Sequence, residues 1–158
     1  MAAKIVKLAE IADYSGSRYP APHDALCTAR VGQRLAEAVG LTQFGVNLVC
    51  LPLGIWASQR HWHSHEDELI YTLSGTVRQI DDDGERVLGP RDVVGYPAGD
   101  GDGHNLVNRG GSDAVFLAVG TRSPDDVCHY PDIDMETPPD RYRQGAHTCA
   151  DGSPWPGA

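Results

Sequence analysis

Imidazoles and carboxylates crowd one short stretch of this chain. His61, His63 and His65 are followed at once by Glu66, Asp67 and Glu68. Such a mixed nitrogen and oxygen donor set suits one divalent transition metal ion, Zn, Fe, Mn or Ni. Alternate residues of a strand face the same way. A strand here would aim His61 and His63 at one point, with their backbones roughly 6–7 Å apart. A turn after them lets Glu68 return toward that point from the next strand. A fourth ligand must come from elsewhere, and His104, in YPAGDGDGHNLVN, is the candidate. Three histidines and one carboxylate leave open positions on a six-coordinate ion. That is the arrangement of a catalytic site, since a structural zinc would be closed.

The elements able to carry these residues are strands. From Phe44 the apolar pattern takes a period of two, and Pro52 and Gly54 end that strand. Arg60 to His65 reads as the ligand strand and Glu68 to Leu73 as the next, turned by Ser74-Gly75. Thr76 to Ile80 and Glu85 to Leu88 flank Asp81-Asp82-Asp83-Gly84, a hairpin signal. Gly89-Pro90-Arg91-Asp92 turns into a short strand ending at Tyr96. Leu106 to Asn108 and Ala114 to Gly120 are expected to pair across Arg109-Gly110-Gly111-Ser112. Short strands spaced this regularly make an all-β sandwich or barrel.

Upstream, residues 1–24 read as a short strand or extended arm followed by loop. Val31, Leu35 and Val39 recur at helical spacing, so Thr28 to Val39 is expected to hold a short helix that Gly40 ends. Residues 121–158 are rich in Pro, Asp and Gly and are expected to wrap the barrel or a partner subunit. The division is therefore an N-terminal arm and short helix over 1–43, a barrel over 44–120 and an irregular C-terminal extension over 121–158. In that extension, His129 and His147 are taken as structural.

The spacing of the site residues resembles the cupin superfamily. His61-x-His63 is followed by four residues, Glu68, six residues and Gly75, as in the first cupin motif. Pro97-x-Gly99 and His104-x3-Asn108 resemble the second. Two departures stand out: Arg91 replaces the leading glycine of the second motif, and four residues rather than two separate Gly99 from His104. The resemblance covers about residues 44 to 120. It implies a single cupin jelly-roll β-barrel and the metal ligands His61, His63, Glu68 and His104. His63-x-His65 also fits His-x-His, but leaves only two residues before Glu68, short for the motif. The phrases FGVNL, RHWH, EDE, PAG and HYPDID resemble a subgroup of small bacterial cupins commonly labelled sugar-phosphate isomerases.

Composition narrows the rest. The chain has 158 residues, one domain by length, with a formal net charge of −9 and a pI near 5.0. An acidic chain without a Lys/Arg cluster argues against nucleic acid and against anionic membranes as partners. The N-terminal sequence has no apolar run of signal-peptide length, so a cytoplasmic location is expected. Cys27, Cys50, Cys128 and Cys149 form no C-x-x-C pair and are expected as reduced thiols. The expected partners are a small-molecule substrate and a second subunit, since a homodimer would cover an exposed sheet edge or face.

Other residues near the motifs carry weaker expectations. Strand parity turns Arg60 and Trp62 away from the ligands, Arg60 toward solvent and Trp62 toward a packing contact. His65 would sit at the rim or behind a ligand. Glu66 and Asp67 fit a solvated loop, with Asp67 able to orient a histidine. Arg78 has no settled face. Tyr71 and Tyr96 fit core or rim, and Asn108 would brace the site. The leading functional expectation is a metal-dependent enzyme of the sugar-phosphate isomerase kind. The alternatives are an Fe(II)-dependent dioxygenase and a non-catalytic cupin that binds a small molecule. The isomerase reading meets two gaps in the sequence: no evident side-chain base, and no glycine-rich loop or basic cluster for a phosphate.

Overall fold

The computed structural model describes residues 3–140 and 147–156. Its elements are strands almost throughout. A six-stranded antiparallel sheet joins, in spatial order, β1 (Asp13–Ser15), β2 (Val31–Arg34), β3 (Phe44–Leu51), β10 (Ala114–Thr121), β5 (Glu68–Ser74) and β8 (Val93–Tyr96). A second sheet runs β7 (Gly84–Leu88), β6 (Val77–Asp81) and β9 (Asn105–Val107). A third runs β12 (Met135–Thr137), β11 (Cys128–Tyr130) and β4 (Trp62–His63). This is the expected all-β jelly roll. No helix among the described residues is long and apolar enough to cross a membrane.

The spine is the β3–β10 pair, in register from Ala114↔Leu51 to Thr121↔Phe44. Its inward residues alternate, as the period of two requires. Val49, Leu51, Ile70, Val77, Leu106, Ala114 and Phe116 form the buried core between the first two sheets. Cys128, Tyr130 and Met135 form a smaller cluster under the third sheet, against Tyr19, Ile133 and Trp155. All four cysteines are free thiols.

Several local expectations need correction. Residues 31–34 are strand, because they pair with the edge of β3, and only Leu35–Ala38 forms a helix, one turn long. Gly32 permits this, since a Cβ there would lie 2.4 Å from the Tyr14 ring. Residues 105–107 do not pair with β10. They join β6, and Asn108 stitches the crossing between sheets by donating to the carbonyls of Leu51 (2.7 Å) and Ser112 (2.9 Å). Asn108 thus braces the barrel rather than the histidines. The ligand strand shrinks to Trp62–His63, supplemented by a single bridge between His61 and His104. The extension is more regular than expected, since β11 and β12 pair with each other and with β4.

Arg60 does not face open solvent. It clamps Asp132 of the extension through two bonds of 2.8 Å and also pairs with Asp82 at the β6–β7 hairpin. Arg91, in place of the motif glycine, holds φ at +76°, a left-handed backbone that glycine adopts without strain. Gly75 has φ +69° and faces a backbone carbonyl, with a built Cβ only 2.4 Å from Asp113 O. Substitutions at the two positions should therefore act in opposite directions. Gly75→Ala should lower unfolding free energy by at least ~1–2 kcal/mol, whereas Arg91→Gly should raise it by up to ~1 kcal/mol, both read by urea denaturation.

Candidate metal centre

The site begins with a reciprocal pair of main-chain hydrogen bonds. His61 N donates to His104 O at 3.0 Å, and His104 N donates to His61 O at 2.8 Å. That bridge sets the two imidazoles side by side, with ring centroids 4.7 Å apart. Glu68 opens β5 between Gly120 and Tyr96 on the neighbouring strands. Its Oε2 lies 3.0 Å from His104 Nε2 and 3.9 Å from His61 Nε2. His61, Glu68 and His104 therefore offer three donor atoms within 4.8 Å of one another.

His63 stands beside this cluster, its ring 5.0 Å from that of His61 and nearly perpendicular to it. Its donor atoms group instead with His61 and Cys128, or with Glu66 and Asp126. Among the expected ligands, then, three share one tight cluster and the fourth adjoins it on the same cavity wall.

Hydrogen bonds fix the rings. A carbonyl can only accept, so His61 Nδ1–H must donate to Gln59 O at 2.9 Å, which leaves the Nε2 lone pair toward Glu68. His63 Nδ1 bonds the Asp126 carboxylate at 2.9 Å. The His104 ring stacks on Tyr96 with centroids 3.5 Å apart and planes 4° from parallel. Its Nδ1 is buried with no hydrogen-bond partner.

Burial, followed by the neighbouring imidazoles of His104 and His63, pushes the His61 pKa down to about 3. His61 is therefore neutral and donor-ready. Burial alone would raise the Glu68 pKa. The His104 hydrogen bond and the surrounding histidines outweigh it and bring Glu68 down to about 2. The result is a half-buried carboxylate with no Lys or Arg paired to it among the described residues, hydrogen-bonded by His104. The donor chemistry fits a divalent cation.

The cluster lines a cavity of about 300 Å³, at the small end for a ligand pocket. Apolar walls come from Val49, Ile70, Leu106 and Phe116. Polar side chains from both ends of the chain complete it: Tyr14, Arg18, Tyr19 and Arg30 from the arm, and Tyr130, Thr137 and His147 from the extension.

Sequence reasoning missed Asp126, which lies in the extension at 0% exposure and also accepts from His65 N at 2.9 Å. It does for His63 what was expected of Asp67, whose carboxylate instead accepts from Ala98 N. Glu66 is not solvated but 3% exposed, accepting from Ser123 N at 2.8 Å. His65 is exposed and bonds Ser64. Trp62 points away from the cluster as expected and stacks on His129, 4.1 Å between centroids. Arg78 and Tyr71 do not line the cavity, whereas Tyr96 does. His147, taken as structural, lines it as well. The only sequence signal for the extension was the HYPDID phrase, which contains Tyr130.

Two outcomes follow for chelator-treated protein. A folded pKa below the unfolded one means stability is present above the unfolded value and lost as pH falls toward the folded value. For His61 that window runs from 6.5 down to about 3, and for Glu68 from 4.5 down to about 2. Thermal unfolding should shift to lower temperature as pH falls below 6.5, and His61→Ala should flatten the upper part of that decline. Asp126→Ala strands the His63 and His65 donors and should cost about 1–3 kcal/mol in denaturant titration at pH 7.

The cupin domain family profile matches residues 47–120. A solved structure described as a sugar phosphate isomerase of the cupin superfamily, from Silicibacter pomeroyi, is 40% identical, covers 98% of each chain and superposes with a TM-score of 0.90. A candidate sugar phosphate isomerase from Acidithiobacillus ferrooxidans is 31% identical, covering 68% of this chain and 69% of its own, with a TM-score of 0.65. A Thermotoga maritima protein described as a predicted oxalate decarboxylase shares the fold, at 24% identity, 76% and 100% coverage and a TM-score of 0.62. No curated protein matches the chain.

Proposed function

The chain belongs to the cupin superfamily, and on that premise we propose that it is a divalent-metal-dependent isomerase of a small sugar phosphate. The proposed ligands are His61, His63, Glu68 and His104. The observation that carries the reading is the convergence of His61, Glu68 and His104 on the wall of a small polar cavity. The 40% identical neighbour described as a sugar phosphate isomerase supports the choice of reaction. A bound Zn, Fe, Mn or Ni ion would supply Lewis-acid polarisation of a substrate carbonyl or hydroxyl oxygen.

The remaining work belongs to the protein's own side chains. Gln59 and Asp126 hold the His61 and His63 rings in fixed tautomer and orientation. An isomerisation between adjacent carbons needs a base to take a proton from one carbon and return it to the next. Glu68 is committed to the metal cluster. His147 is the proposed base, since burial holds its pKa below the ordinary value and so keeps it neutral near pH 7. Its Nδ1 lies 3.0 Å from Thr137 Oγ1, which lies 3.2 Å from the Tyr130 hydroxyl. Burial, with the charge of Glu68 adding to it at Tyr96, raises the pKa of both phenols. They remain O–H groups and serve as donors to substrate oxygens rather than as bases.

Elemental analysis of protein purified without chelator or affinity-tag metal tests the premise. Near-stoichiometric metal is expected in the parent, none in a His61→Ala/His104→Ala double variant, and roughly 10- to 100-fold weaker binding in Asp126→Asn. Zinc, manganese or nickel with turnover of sugar phosphates, lost in His147→Gln at unchanged metal content, would support the isomerase. Iron with substrate-dependent oxygen uptake would replace it with a dioxygenase. Absence of metal after reconstitution would leave a binding protein.

A further inference from the structure

Among the described residues Glu68 is the only carboxylate lining the cavity, in a chain that carries 22 acidic residues. Two arginines, Arg18 and Arg30, line the same cavity. Five other described arginines are committed to carboxylates, while Arg78 and Arg91 lie outside the cavity. Arg34, Arg60, Arg86, Arg109 and Arg122 each pair with at least one carboxylate. Arg18 and Arg30 form no ion pair among the described residues.

Arg30 shows the imbalance most clearly. Its Nη1 donates to the carbonyl of Ala57, which fixes the guanidinium against the cavity wall. Its Nε is buried and has no hydrogen-bond partner. A desolvated N–H on a cation is costly to leave unmade, and an anionic ligand would satisfy both its charge and its donor. Arg18 is exposed, so it stands where the cavity opens to solvent. The Arg18 main chain is tied to the His147 ring, which Thr137 also holds. The extension therefore fixes the segment that carries Arg18.

We infer that Arg18 and Arg30 form an anion subsite that receives the phosphate of the substrate. A guanidinium presents a rigid fork of donors that matches phosphate oxygens. The local field in the cavity is reversed relative to the acidic molecule around it. The sequence holds no glycine-rich phosphate loop because the subsite is assembled from side chains of the arm. This inference rests on the phosphorylated-substrate reading above and assigns the residues that select for it.

The test is titration of the full-length protein with inorganic phosphate by calorimetry, with acetate as the carboxylate probe. Metal content is measured on the same samples. Saturable phosphate binding is expected, weakened about tenfold in Arg18→Gln and again in Arg30→Lys, with acetate much weaker throughout. Arg18 is exposed and Arg30→Lys keeps the charge, so both variants should unfold at the parent temperature.

Phosphate affinity unchanged in both variants would place the anion elsewhere, on the metal for example, and overturn the subsite. Absent phosphate binding in the parent would also overturn it. Equal affinity for acetate, lost in the same variants, would overturn phosphate as the ligand class. Metal present without phosphate binding sinks this inference alone. Arginine-dependent phosphate binding without metal sinks the metalloenzyme reading alone.

Discussion

The site depends on two main-chain hydrogen bonds between His61 and His104. They join the segment before β4 to the segment before β9, so two distant parts of the chain meet as neighbours. Once the backbones are locked, little freedom remains for the imidazoles. Gln59 holds one ring from behind, and Tyr96 lies flat against the other. Glu68 enters from the large sheet and closes the cluster. A donor set built on three backbone segments is rigid because each segment is fixed by a different sheet or bridge.

Rigidity alone would not make the cluster useful. His61 is buried enough to lose its proton, and Glu68 keeps its charge beside the hydrogen bond from His104. Each group is therefore in the state that binds a cation. Apolar residues from the barrel core form the adjoining wall, which lowers the dielectric and strengthens every charge interaction in the cavity.

Much of this was legible in the sequence. The period of two in β3, the turn at Gly75 and the Asp81–Gly84 hairpin follow from local chemistry, and the structure places all three where expected. The approach of Glu68 to His61 followed from a short turn, and His104 was reached through the resemblance to the second cupin motif, whereas the parity that set His63 beside His61 did not bring it into the same tight cluster. What spacing could not convey was pairing between distant segments. Val31, Leu35 and Val39 recur at helical spacing, yet the open edge of β3 captures residues 31–34 as strand. Asp126 sits in a segment with no periodicity, and only the docking of β11 on β4 brings it to His63. Arg18, Arg30 and His147 are scattered in sequence, so no local window reveals that they share a cavity.

The cavity has two sources that follow different rules. The candidate metal donors stand on or next to the barrel strands, where a shift of one residue would turn a donor to the wrong face. The groups that meet the rest of a ligand come from the arm and the extension, whose loops can change length without disturbing the barrel. Exchange of the terminal loops would alter the outer wall of the cavity, provided that Asp126 stays to hold His63. On the proposed function, the fold separates the candidate metal cluster from the residues that would meet the rest of a substrate. A lineage built on this plan could change substrates by editing its chain ends and never touch the histidines.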